Sequence, residues 1–203
     1  FGTPSSNDNR VHLYRNETLI EQFSDMAELT RRYSDEAIGF IRRNKDRSFF
    51  VYLPHTMPHT RLEASAEFIG RSDRGLYGDV VMEIDYNAGR IFNTLKELNL
   101  TENTYVFLIS DNGPWLIKNQ DFKNGVLPTD HGGSAAPLRS GKVSTWEGGV
   151  RVPAIAWAPG RIPAGTVCRN IASTMDLFPT IAELAGAKLP EDRVIDGENI
   201  TPL

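Results

Sequence analysis

Two adjacent polar residues, Asp111 and Asn112, follow an apolar run in the segment S-D-N-G-P. A carboxylate and an amide oxygen suit Ca²⁺ or Mg²⁺, whereas zinc favours imidazole and thiolate ligands. The same letters are also typical of a tight turn, because Asp, Asn, Gly and Pro are all turn formers. Calcium takes about six to eight oxygen ligands, so a metal site here requires further donors from elsewhere.

A pair of histidines, His55 and His59, stands four residues apart in P-H-T-M-P-H-T-R. Pro54 and Pro58 exclude a regular helix, so the pair lies in a loop and does not form the helical zinc arrangement. Two readings stay open at this point: surface histidines, or a functional pair placed just beyond the end of a strand.

One lysine, Lys142, lies among glycine and hydroxyl residues in L-R-S-G-K-V-S-T-W-E-G-G. A lysine in such a loop can reach an anionic group as a point charge, although a surface lysine is the ordinary alternative. The segment is not a phosphate-binding P-loop, which requires G-x-x-x-x-G-K-[ST] between a strand and a helix.

The elements that must position these residues follow from apolar periodicity. Spacing predicts helices at Phe23–Arg43, about Gly78–Asn99 and about Thr174–Ala185, and strands at Ser48–Leu53, Thr104–Ile109 and Ala154–Ala158. Their alternation predicts an α/β layered fold with at least partly parallel strands. Ligands gather at the C-terminal ends of strands in such folds, where the histidine pair and the Asp-Asn pair both stand. Residues 113–149 have little periodicity, which is typical of a functional loop region.

Composition excludes several classes of partner. The 22 basic and 26 acidic residues give a net charge of −4, so nothing favours nucleic acid or an anionic membrane surface. The longest apolar runs are a few residues long, far short of the roughly 20 that a membrane-spanning helix needs. Cys168 is the only cysteine, so no internal disulfide forms and no multi-cysteine zinc cluster is possible.

Six segments taken together, in order along almost the whole chain, resemble the sulfatase family, in particular the arylsulfatase type of the alkaline-phosphatase-like superfamily. The resemblance implies an α/β fold in α/β/α layers, one bound calcium ion, and hydrolysis of a small-molecule or glycan sulfate ester. The segments are FFVYLPHTMPH, RGLYGDVVMEID, FLISDNGP, HGGSAAPLRSGKVSTWEGGVRVPAIAWAPG, STMDLFPTIAELAGAKLP and DGENITPL.

The resemblance also implies a role for each residue singled out above. Asp111 and Asn112 look like the family's second pair of calcium ligands, since phosphatase-like relatives commonly carry histidine in place of this asparagine. His59 looks like the histidine that contacts the leaving-group oxygen and the sulfate, and His55 is the second candidate for that role. Lys142 matches the lysine that contacts the sulfate. We therefore expect these side chains to converge on one anion site.

The family's nucleophile is a formylglycine made from Cys or Ser in the motif C/S-x-P-x-R, which this sequence does not contain. The nearest string, at residues 135–139, begins with alanine, and Cys168 is followed by R-N-I-A. The resemblance thus implies that residues 1–203 are the C-terminal part of the large catalytic domain. The formylglycine, the first pair of calcium ligands and a small C-terminal domain would lie outside it. We expect an incomplete calcium site and no sulfate-ester hydrolysis by the chain alone.

Two other functions remain open at this stage. One is a hydrolase of the same superfamily acting on phosphate mono- or diesters, against which Asn112 weighs. The other is a non-catalytic carbohydrate-binding or regulatory fragment. Location in a secreted, periplasmic or lysosomal compartment is expected only from the resemblance.

Overall fold

Helices and short strands alternate along the chain in a computed structural model that describes residues 11–23, 25–116, 121–122, 125–126 and 132–203. Residues 1–10 and part of the predicted loop region 113–149 lie outside those ranges. The elements in chain order are β1 (Val11–Arg15), β2 (Thr18–Phe23), α1 (Leu29–Asn44), α2 (Gly75–Glu97), β3 (Val106–Ile109), β4 (Asp121–Phe122), β5 (Gly125–Val126), α3 (Glu147–Val150), β6 (Ala154–Trp157) and α4 (Leu177–Leu184).

The first predicted helix begins later than its spacing indicated, because the residues up to Phe23 belong to a hairpin. Strand β2 pairs antiparallel with β1, with Val11 opposite Phe23. That ladder occupies the backbone groups that a helix over the same residues would need. The predicted start at Phe23 is therefore wrong, and α1 begins at Leu29.

Helices α1 and α2 pack against each other through buried apolar side chains. Ile38 and Ile41 of α1 and Leu95 of α2 are all buried. At the edge of this contact, Arg90 Nη2 of α2 donates to Asp35 Oδ1 of α1 over 2.6 Å. Helix α2 is consequently fixed along its length against the rest of the described chain.

The segment between the two helices packs under α2 as a core cluster of Met57, Leu62, Ala64, Phe68 and Val80. Each of these side chains is at most 5% exposed. Met57 lies between the two histidines of the sequence, so the burial of its side chain ties the loop at residues 55–59, here called the histidine loop, to the body of the domain.

Two carboxylates one turn apart on α2 hold the end of this segment. Asp79 accepts hydrogen bonds from the backbone N–H of Gly70 at 2.8 Å and of Ser72 at 2.7 Å. Glu83 accepts one from the Ser65 N–H at 2.9 Å. Both side chains are almost fully buried, and buried carboxylates require such partners because losing water is costly.

The predicted strand Ser48–Leu53 is not a strand in the structure. The segment carries no strand assignment, and no described strand pairs with it. Its aromatic residues are not buried either, since Phe50 is 64% and Tyr52 is 79% exposed. An apolar run becomes a buried strand only when another segment supplies its ladder and covers its face.

The next two predicted strands are present and pair with each other. Strand β3 begins two residues later than predicted and aligns antiparallel with β6, with Ile109 opposite Ala154. All strand pairs among the described residues are antiparallel, so the expected parallel pairing does not occur there. Strand β3 is also less buried than predicted, with Leu108 and Ile109 partly exposed.

The last predicted helix forms as a 3₁₀ turn at Thr174–Asp176 that continues into α4. Ser173 and Asp176 make a reciprocal capping box at its start, which satisfies backbone N–H groups that a helix leaves unpaired. Among the described helices, none combines the length and the apolar composition that a membrane crossing needs.

We predict that Asp79→Ala lowers the free energy of unfolding by about 2 kcal/mol, because two backbone N–H groups lose a charged acceptor. Chemical denaturation measures this change. Asp85→Ala is the matched control, since Asp85 lies exposed on the same helix and should change stability by less than about 0.5 kcal/mol. Equal effects of the two substitutions would show that Asp79 does not hold the segment.

Candidate functional site

The Asp111–Asn112 pair forms a turn directly after β3, at the strand end where the sequence placed it. Ser110 Oγ donates to the Asn112 carbonyl oxygen over 2.9 Å, which closes the turn. Asn112 Nδ2 donates to Asp111 Oδ1. This bond uses the amide N–H₂ and one carboxylate oxygen, so Asp111 Oδ2 and Asn112 Oδ1 remain as acceptors.

Two backbone hydrogen bonds join this turn to the segment at residues 139–149, here called the lysine loop. The Gly113 N–H donates to the Gly149 carbonyl over 2.9 Å, and the Lys142 N–H donates to the Pro114 carbonyl over 2.9 Å. Gly113 is buried against the lysine loop so closely that an added Cβ would lie 1.8 Å from the Gly148 carbonyl oxygen. The half-buried Lys142 and the Asp-Asn turn are therefore locked together, although they are far apart in sequence.

The lysine loop carries an aromatic and cationic pair that the sequence analysis did not identify. The Arg139 guanidinium lies over the Trp146 ring, 3.6 Å from its centroid. The Arg139 carbonyl also accepts the Gly148 N–H over 2.8 Å. Stacking and hydrogen bonding together close the loop on itself. Local spacing gave no signal for the pair, because seven positions separate the two side chains.

The histidine loop presents its two rings differently. His59 is exposed, and its Nδ1 lies 2.7 Å from the Thr60 carbonyl oxygen. A carbonyl oxygen only accepts, so the contact assigns the proton to Nδ1 and leaves Nε2 for exchange with a ligand. His55 is half-buried, and desolvation lowers its pKa. Its Nδ1 is buried with no hydrogen-bond partner in the described part of the chain.

The oxygen donors at the Asp-Asn turn fit a hard cation in chemistry but supply only part of a ligand set. One carboxylate and one amide oxygen are calcium-type donors. Within the described ranges, no group of three or more His, Cys, Asp or Glu side chains gathers as a metal site. The turn is therefore suited to contribute two of the oxygens that a calcium ion requires.

We predict that Gly113→Ala separates the turn from the lysine loop, because the new Cβ meets backbone that cannot rotate away. The substitution should lower the free energy of unfolding by about 1–3 kcal/mol, as overpacking does. It should also speed amide exchange at Gly113 and Lys142. Gly89→Ala, in open space within α2, should instead stabilise the chain by about 0.5–1 kcal/mol. Unchanged exchange in Gly113→Ala would contradict the predicted lock.

Almost the whole chain aligns with known proteins. The Sulfatase family model matches residues 3–187. N-acetylgalactosamine-6-sulfatase of Canis lupus familiaris is 42% identical over 221 residues, an alignment that covers 100% of this chain and 41% of the relative. Steryl-sulfatase of Homo sapiens is 42% identical over 191 residues, which cover 94% of this chain and 32% of the relative.

Solved structures show the same fold. Ps i-CgsB, crystallised in complex with k-i-k-neocarrahexaose, matches with a TM-score of 0.75 at 34% identity, covering 95% of this chain and 41% of that one. The PsFucS1 sulfatase from Pseudoalteromonas sp. matches with a TM-score of 0.76 at 30% identity, covering 87% and 34%. These neighbours confirm the predicted α/β alkaline-phosphatase-like fold. The chain spans about a third to two fifths of the length of these relatives. The chain belongs to the sulfatase family.

Proposed function

We propose that the protein to which this chain belongs hydrolyses a sulfate ester, and that the chain supplies residues that hold calcium, bind the sulfate and protonate the leaving group. The observation that carries this proposal is the 2.9 Å bond from the Lys142 N–H to the Pro114 carbonyl. It fixes the backbone of a cationic residue beside the Asp111–Asn112 turn. A cation and a pair of calcium-type oxygens in one locked unit suit the anionic, tetrahedral group of a sulfate ester.

Hydrolysis breaks the bond between sulfur and the ester oxygen, and the electron pair of that bond stays on the departing oxygen. Lys142 would offset the negative charge of the sulfuryl oxygens as a point charge. His59 would give a proton to the departing oxygen, so that it leaves as a neutral alcohol. Water supplies the hydroxyl that the sulfate retains.

Of the two histidines, His59 suits the role of proton donor better. Its Nδ1 is engaged with the Thr60 carbonyl, so Nε2 is the ring nitrogen that the exposed His59 presents to a substrate. Burial lowers the pKa of His55, which disfavours the charged, proton-donating form of that ring. We assign His55 to substrate contact or loop support, and His59 to proton transfer.

Asp111 and Asn112 would hold the calcium ion together with donors outside the described residues. A calcium ion bound there supplies electrostatic stabilisation to the sulfuryl oxygens. Because Asn112 Nδ2 donates to Asp111 Oδ1, the acceptors Asp111 Oδ2 and Asn112 Oδ1 are left for a ligand. That arrangement favours a cation at this turn over an anion.

The alcohol of the ester differs among the relatives, whose names specify an amino-sugar sulfatase and a steryl sulfatase. One neighbour is bound to a neocarrahexaose. The groups proposed here act on the sulfate and on the ester oxygen, and none of them is assigned to the rest of the alcohol. We therefore propose the substrate class as a sulfate ester of a carbohydrate or a ring alcohol, with the alcohol recognised by other parts of the protein.

We predict that Asp111→Ala weakens calcium binding by the intact protein at least tenfold, since a charged oxygen ligand is lost. Isothermal titration with calcium measures the affinity. Asp85→Ala, an exposed carboxylate on α2, is the control for a change of net charge. Equal calcium affinities of the wild type and Asp111→Ala would remove this residue from the ligand set.

We predict that Lys142→Ala lowers turnover of a sulfate ester by the intact protein about 100-fold, the usual scale for one transition-state charge contact. The loss should be the same for every leaving group, because Lys142 faces the sulfate. Loss in His59→Ala should instead grow as the leaving-group alcohol becomes more basic and needs its proton more. Initial rates on a series of substituted phenyl sulfates separate these two patterns.

Lys188→Ala, an exposed lysine near the C-terminal end, is the control and should retain wild-type turnover. Phosphate esters of the same phenols are assayed in parallel. Faster hydrolysis of the phosphates would assign the protein to the phosphatase-like branch. No hydrolysis of either series by the intact protein would favour the non-catalytic binding function.

A further inference from the structure

Tyr77, on the first turn of α2, packs against the core cluster that contains Met57 and Leu62. This tyrosine has no role in the proposed mechanism. Its side chain is half-buried, and desolvation raises its pKa, so the hydroxyl stays protonated at neutral pH. A phenol in that state is a fixed, uncharged spacer with a polar end.

The other end of the Tyr77 side chain lies over Gly133. A Cβ added at Gly133 would be 2.8 Å from the Tyr77 hydroxyl oxygen, 3.3 Å from Tyr77 Cζ and 3.6 Å from Pro114 Cβ. The tyrosine, the glycine and the proline therefore meet at one point. Only hydrogen fits between them without a displacement, since real Cβ atoms do not approach other heavy atoms within 3.0 Å.

This contact joins two parts of the site. On one side, Tyr77 packs on the cluster that buries Met57, two residues from His59. On the other side, Pro114 is the acceptor of the Lys142 N–H and follows the Asp-Asn turn. A rigid ring thus spans from the support of the histidine loop to the support of the lysine loop.

We propose that Tyr77 is a positioning residue that sets the spacing between the histidine loop and the Asp111–Lys142 unit. The proposal rests on the proposed function, because the spacing matters only if His59 and Lys142 act on one ester. Tyr77 acts through Met57 and Pro114 and does not touch the substrate. A shift of about 1 Å in such spacing costs up to about 100-fold in rate, since the proton donor and the sulfate contact no longer align.

The test is a double-substitution experiment in the intact protein. Gly133→Ala places a methyl group against the tyrosine hydroxyl, so it should lower kcat at least tenfold with less than a threefold change in KM. Tyr77→Phe removes the hydroxyl and should cost less than threefold. In the double variant the methyl lies 3.3 Å from Cζ and 3.6 Å from Pro114 Cβ, so kcat should return to within threefold of Tyr77→Phe.

Gly132→Ala is the matched control, because its Cβ would lie 2.2 Å from the Trp115 carbonyl oxygen. That clash is with backbone, so Tyr77→Phe should not rescue it. Rates are expressed per folded protein, measured by thermal unfolding of each variant. A role in stability alone would lower the midpoint of unfolding and leave kcat per folded molecule unchanged.

Amide exchange at residues 55–62 and 113–116 gives a readout that does not depend on sulfatase activity. Gly133→Ala should speed exchange in both segments, and the double variant should restore both. If exchange changes in this way but the wild type hydrolyses no sulfate ester, the proposed function is rejected, and the coupling of the two loops through Tyr77 stands. Failure of Tyr77→Phe to rescue Gly133→Ala in exchange, or in kcat where turnover is present, would overturn the positioning role.

Discussion

Two backbone hydrogen bonds, from Gly113 to Gly149 and from Lys142 to Pro114, are the constraint on which the candidate site depends. Backbone bonds of this kind cannot be replaced by a different side chain, and leaving a buried partner unpaired costs about 1–3 kcal/mol. The turn after β3 and the lysine loop therefore keep one arrangement. The backbone thereby fixes where the side chains of the oxygen donors and of Lys142 begin.

Helix α2 provides the second half of the framework. Arg90 binds Asp35 of α1, while Asp79 and Glu83 hold the segment beneath the helix by its backbone N–H groups. The same segment buries Met57 and so supports the histidine loop. The buried carboxylates Asp79 and Glu83 hold the backbone of this segment in place, because each accepts hydrogen bonds from its N–H groups. We assign them a structural role and no part in the reaction. This separates the structural carboxylates from Asp111, which is exposed at a strand end.

Those parts of this arrangement that depend on the pattern of neighbouring residues were predictable from the sequence. Apolar spacing predicted α1 and α2, and the turn letters after β3 placed Asp111 and Asn112 at a strand end. The run Ser48–Leu53 gave a false strand, because apolar letters do not report whether another segment supplies a ladder. The contact of Tyr77 with Gly133 was missed for a related reason. It joins residues far apart in the chain, and no period or motif connects them.

The helical period of α2 has a consequence for how chains of this kind can vary in length. Each residue of a helix advances the side-chain direction by about 100°, so one inserted residue turns everything beyond it away from its partner. Tyr77 contacts Gly133, and Glu83 accepts a hydrogen bond from Ser65. An insertion between Tyr77 and Glu83 would therefore turn one of these two side chains away from its partner. Alignment gaps between related chains should therefore spare the first turns of α2.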